Sequence, residues 1–142
     1  MIKIKLDAKD LKRIEDKLKR IKKLREPLFL IGQALESSTK LRFNHGVDPT
    51  GKKWQKRSPK YIEQLRRQRR LTPRVLVVSG NLQRSIDFKS DNSKVVVGTP
   101  VEYSAVHQTG EPKKNIPQRE FLGLSKLDKE RIEEIIEKHI EK

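Results

Sequence analysis

The sequence predicts an α+β fold: a small, mainly antiparallel sheet packed against N-terminal helices and a C-terminal helix, with a long basic, mobile loop. Three observations lead there. Apolar residues recur at three- and four-residue steps near both ends of the chain, the spacing of a helix face. Between them, two β-favouring runs flank Ser90-Asp91-Asn92-Ser93, a hairpin signal with Asp-Asn at its tip. Residues 52–74 hold ten Lys and Arg, one acid (Glu63) and few apolar side chains.

Residues 2–6 alternate apolar and charged, which suits a short edge strand, and Asp7 is placed to cap a helix. Leu11, Ile14, Leu18, Ile21 and Leu24 form one apolar stripe along that helix. Pro27 does not fit its interior but suits the first turn of a second helix, running to about Phe43. Leu28, Ile31, Leu35 and Thr39 mark the inner face of that helix, and Gly46 lies beyond its end.

Asp48-Pro49-Thr50-Gly51 is a tight turn, since Pro sets φ at one position and Gly permits positive φ at another. A helix from Pro59 to about Arg70 follows. Arg66, Arg67, Arg69 and Arg70 repel one another along it, so the segment is expected to be mobile without a partner. Val75-Leu76-Val77-Val78 is a β-favouring run stopped at Ser79-Gly80-Asn81. Leu82 and Ile86 suit a short helical turn, and residues 86–89 and 95–99 are the hairpin arms. One or two helical turns over residues 103–108 end at Gly110, before a polar loop over 111–115. Ser125 with Asp128 resembles a capping box opening a last helix, with Leu127, Ile132, Ile135, Ile136 and Ile140 inside.

A single domain over residues 1–142 is expected: helices over 1–43, a basic loop or partly helical extension over 44–74, and a compact α+β part over 75–142. With 33% hydrophobic and 37% charged residues, its core is modest. A chain of this size still buries roughly two-thirds of its unfolded surface. The absence of Cys removes disulfides, thiolate nucleophiles and Cys-based metal sites. The alternating start resembles neither a signal peptide nor a membrane span, so a cytoplasm-like compartment is the default expectation.

The net charge of +15 is unevenly distributed. Residues 1–79 carry 23 basic and 8 acidic side chains, and the remainder carries 11 of each. Such asymmetry suits an electrostatic partner, nucleic acid among them, or a solvated lysine-rich face. Lys52, Lys53, Lys56, Arg57, Arg66, Arg67, Arg69 and Arg70 are candidates for phosphate or partner contact, and Trp54 or Tyr61 for base stacking. Sequence-independent nucleic-acid binding is therefore an alternative function. Trp54 also suits anchoring a loop to the core, the commoner role of a lone Trp after a turn.

Catalytic signals are missing. His45, His107 and His139 stand at no metal-ligand spacing, and the seven glycines form no phosphate loop. Ser79 and Ser104 lack the glycines of a nucleophile elbow. Glu133, Glu134 and Glu137 suit a solvated helix face with some pairing to Lys129 and Lys138. A non-enzymatic protein with no cofactor and no metal is expected.

Several phrases in order carry a resemblance: Asp48-Pro49-x-Gly51-x-x-Trp54; Leu76-x-x-Ser79-Gly80-x-Leu82-x-x-Ser85-Ile86; Val95-Val96-Val97-Gly98-Thr99; Tyr103-Ser104-x-x-His107-Gln108-x-Gly110; and Pro117-x-Arg119-x-Phe121-Leu122-Gly123-Leu124. Together, over about residues 28–140, they resemble the phage virion morphogenesis family, the tail-completion proteins of Mu-like tailed phages and prophages. Ser104 and Ser79 depart from the usual Ala and Thr, and the first basic helix lies outside the pattern. The resemblance implies a structural protein of the virion, assembled in the bacterial host cytoplasm and acting at the head–tail junction. It would contact tail-end and neck proteins as a homo-oligomer, with non-specific DNA contact an added option. Gly51, Gly80, Leu82, Gly98, Tyr103, His107, Gln108, Gly110, Arg119 and Phe121 are then scaffold positions. Gly80 and Gly98 suit turns or close backbone approach, and Tyr103 and His107 suit one helix face covering the sheet. In this reading, two basic attachments sit on a neutral scaffold.

Overall fold

The computed structural model describes residues 2–3, 8–77 and 79–140. The elements are β1 (Ile2–Lys3), α1 (Ala8–Leu18), α2 (Arg25–His45), α3 (Pro59–Arg67), α4 (Asn81–Ser85), β2 (Asp87–Ser90), β3 (Val95–Thr99), α5 (Ser104–Thr109) and α6 (Lys126–Ile140). The sheet is antiparallel with order β1-β3-β2. The predicted α+β class is the observed one.

Strand β3 is central. It pairs Gly98 with Asp87 and Val95 with Ser90 across the hairpin, and Thr99 with Ile2 on its other edge. The tip closes as its chemistry requires. The Asp91 carboxylate accepts from the Ser93 and Lys94 amides at 2.7 and 2.9 Å, and from the Ser93 hydroxyl. These donors hold the Asp91 carboxyl below its usual range.

Helix α2 organises the core and packs on β2, β3, α4 and α6. It starts two residues before the expected Pro27, with that proline inside the first turn, and ends at Gly46, φ 65°. Its inner face carries Leu28, Ile31, Leu35 and Thr39 as expected, and also Arg42 and Phe43. Gly32 is where β2 meets it: a Cβ there would lie 2.2 Å from the Phe88 ring. Phe29 meets the same ring edge-on at 5.3 Å.

Three expectations need correction. Helix α1 ends at Leu18, so Ile21 and Leu24 reach the core from a turn rather than from a continuous stripe. The last amides there bond three residues back, Arg20 to Lys17 and Ile21 to Leu18, which tightens the chain out of the helix. Residues 75–77 form a turn instead of a strand, because the carbonyls of Arg74 and Val75 are taken by the Arg57 guanidinium. Leu127 is 75% exposed, since Asp128 holds the inward phase that leads to Ile132, Ile135 and Ile136. Asp7, Val78 and residues 4–6 of the expected first strand lie outside the described residues.

The capping box of α6 is reciprocal. Ser125 N–H donates to the Asp128 carboxylate and Asp128 N–H donates to the Ser125 hydroxyl, both at 3.0 Å. Helix α1 lays its basic face on the acidic face of α6. Lys17 stands 2.9 Å from Glu137 and 3.5 Å from Glu133, and Arg13 pairs with Glu133. Part of the N-terminal positive charge is thus matched within the fold. Glu134 pairs with Lys138, as the sequence suggested, and with Arg131.

Candidate partner-binding site

The basic segment enters through the predicted turn. Asp48 Oδ1 accepts from the Thr50 and Lys52 amides at 2.9 and 3.0 Å and from the Thr50 hydroxyl at 2.6 Å. Gly51 follows at φ 90°. Partial burial pushes the Asp48 carboxyl up, but these donors outweigh it and hold the group below its usual range. Trp54 is then delivered inward, 6% exposed. Its indole N–H donates to the Glu120 carbonyl at 2.8 Å, and its ring meets Phe43 edge-on. The anchoring role is the one the fold uses, which withdraws Trp54 from base stacking.

Ser58 caps α3 by accepting from Tyr61 N–H, with Pro59 in the first helical position. Leu65 is its buried residue, 1% exposed. The helix stops at Arg67, short of the expected Arg70, because Arg69 adopts the left-handed conformation, φ 56°. Arg70 N–H bonds the Leu65 carbonyl and Arg69 N–H that of Arg66, the pattern glycine usually closes. Arg66 and Arg67 pair loosely with Glu63 on an exposed surface. Lys52, Lys53, Lys56, Arg66, Arg67, Arg69 and Arg70 are all exposed.

Arg57 is not. It is 8% exposed, and its guanidinium donates to the carbonyls of Thr72 at 2.7 Å, Val75 at 3.0 Å and Arg74, and to the Thr72 hydroxyl. It ties the far end of the basic segment back to its start. Arg119 is equally buried, donating to the carbonyls of Gln55 at 2.8 Å and Lys56 at 3.2 Å. Burial pulls both guanidinium pKa values down, and the nearby Arg57 charge adds to the effect at Arg119. An arginine keeps its charge even so. Neither is paired with a carboxylate among the described residues. Both line one cavity of about 670 Å³ beside α3.

The other wall of that cavity comes from the residues that carry the family resemblance. Tyr103, at the N-cap of α5, and His107 lie together, with rings 6.4 Å apart and perpendicular, but they line this cavity where they were expected to cover the sheet. Gln108 acts as an extra peptide link: its Oε1 accepts from the Phe121 and Leu122 amides at 3.1 Å, and its Nε2 donates to the Leu122 carbonyl at 2.8 Å. Arg119 N–H donates to the His107 carbonyl at 2.7 Å. Gly110 turns the chain at φ 76° with Gln118 N 2.8 Å from where a Cβ would sit. Phe121 is wholly buried against Phe43. Gly80 turns at φ 82° into α4, whose Leu82 is buried. Gly98 lies inside β3, opposite Lys3 and Asp87, rather than at a turn.

Sequence reading missed the Arg42–Asp128 pair, buried between α2 and α6. A signal existed: Arg42 continues the phase of Leu35 and Thr39, and Asp128 that of Ile132 and Ile135. The burial of Arg57 had no such signal, since it stands in a run of exposed cations. No group of three or more metal-ligating side chains occurs among the described residues. None of the described helices is long and apolar enough to cross a membrane.

Protein G of Escherichia phage Mu, provisionally named as a capsid assembly protein, is 29% identical over 143 aligned residues, covering 94% of this chain and 92% of the Mu protein. No solved structure gives a significant match. The model of the phage virion morphogenesis family matches residues 6–141. That span includes the whole of the first basic helix, which lies outside the motif resemblance. The chain belongs to the phage virion morphogenesis family, and its role lies in phage assembly.

Proposed function

We propose that the protein is a non-catalytic tail-completion component that works at the head–tail junction through protein–protein contacts. Family membership over nearly the whole chain is the observation that carries the reading. The geometry supports a docking role, because the two buried arginines without a carboxylate partner among the described residues, Arg57 and Arg119, face a surface cavity bordered by α3. The arginines at 66, 67, 69 and 70 form an exposed basic ridge along the end of α3 and the turn after it, with Glu63 as its one acid. Leu41 and Leu127, 51% and 75% exposed, line a second surface with Val47 and Pro49. A neighbouring copy in a ring is the proposed occupant of this surface. Tail-end and neck proteins are the proposed partners of the basic ridge, which is proposed to be mobile until it docks.

The test is to disable the gene in the phage or prophage that encodes it and count particles by electron microscopy after induction. DNA-filled heads and separate tails without joined virions are expected. Joined, infectious particles at normal yield, or loss of heads altogether, would overturn the reading.

A further inference from the structure

Two buried arginines without a carboxylate partner are an unusual feature in a fold that elsewhere satisfies its buried charge. Arg42 shows the local standard, since it is matched by Asp128. Arg57 and Arg119 have only carbonyl and hydroxyl acceptors, and they repel each other. Carbonyl dipoles solvate a guanidinium but leave its net charge in place. His107, in the same cavity, adds a buried Nδ1 with no hydrogen-bond partner among the described residues. Arg70 adds a further positive charge to the lining.

We propose that this cavity receives a carboxylate from an acidic segment of a protein partner, with Arg57 and Arg119 as the receiving pair. The rest of the lining separates this from nucleic-acid binding. Leu76, Leu82, Ile116 and Pro117 make apolar walls, and the two arginines are only 8% exposed. A duplex presents phosphates on a convex rigid surface that reaches exposed cations. A glutamate on a flexible apolar-acidic peptide enters a recess, where the Arg119 Nη1, without an acceptor among the described residues, takes its carboxylate and Arg57, whose nitrogens all have acceptors, adds its charge. For the partner being an assembly protein, the inference rests on the function proposed above. The carboxylate site itself does not.

The test uses the full chain with its arginine Nε–H signals followed by heteronuclear NMR. The probe is an end-blocked Leu-Glu-Leu-Glu-Leu peptide, with Leu-Gln-Leu-Gln-Leu and a random duplex as comparisons. The Arg57 and Arg119 signals are expected to shift and saturate with the acidic peptide and to stay in place with the amide peptide. Ser79→Glu puts a carboxylate on the exposed rim and should weaken the acidic peptide about tenfold, while Ser79→Gln leaves it unchanged. No shift, equal shifts with both peptides, equal affinity of the two variants, or larger shifts with duplex would each overturn the proposal. Because the readout is on isolated protein, its failure is separable from particle counts that contradict the junction role.

Discussion

The guanidinium of Arg42 on α2 and the carboxylate of Asp128 on α6 form an ion pair in which the residues are 5% and 6% exposed. Each partner has a second task. Arg42 also donates to the Phe121 carbonyl at 2.9 Å, holding the segment that enters α6, and Asp128 closes the capping box with Ser125. Burial pulls the Arg42 pKa down against the opposing pull of Asp128.

Removing one partner strands the other charge in the core. Arg42→Ala and Asp128→Ala are each expected to cost about 3–5 kcal/mol in urea unfolding. The double substitution should cost clearly less than the sum of the two. Additive losses would show that the pair is not coupled.

Gly32→Ala tests how closely the hairpin lies on α2. A methyl group would meet the Phe88 ring at 2.2 Å, so the substitution should destabilise by about 1–3 kcal/mol despite the better helix propensity of Ala. Phe88→Leu in the same chain should recover part of that loss. A stabilised Gly32→Ala chain would mean the two elements are further apart.

The sequence already carried most of this architecture. Helix faces, the Asp91 hairpin tip, the Asp48 turn and the Ser125–Asp128 cap are local devices, readable wherever donor, acceptor and turn residue are close in the chain. What stayed hidden depends on distant segments. Residues 75–77 have β propensity, but Arg57 claims the carbonyls a ladder would use. The basic segment reads as an attachment by composition, yet it supplies Trp54 and Leu65 as buried residues and Arg57 as an internal tie. The cavity is assembled from residues up to 64 positions apart, as in the Arg119–Gln55 bond, and no local pattern marks it.

Arg69 holds a backbone conformation that glycine adopts without steric cost. Arg69→Gly is expected to raise stability by about 1 kcal/mol, read as a shift in the urea midpoint at constant slope. If the arginine is kept for partner contact, the same variant should assemble virions less efficiently in complementation. Unchanged or lower stability would remove the strain argument.

The His107 ring has its pKa lowered by burial and then by the Arg119 charge. Its neutral form is favoured in the folded state, so the unfolded chain takes up the proton first as pH falls. The contribution is fully present above the ordinary value of 6.5 and is lost as pH falls through the folded pKa. Wild-type stability should therefore drop between pH 7 and 5 more steeply than that of His107→Gln. Parallel profiles would contradict this.

The most direct test of the assembly account is where the protein sits in the particle. Antibody–gold labelling of mature virions should place the label at the neck, where head meets tail, with the rest of the particle unlabelled. Label spread over the capsid shell, or particles carrying none, would contradict a role at the junction.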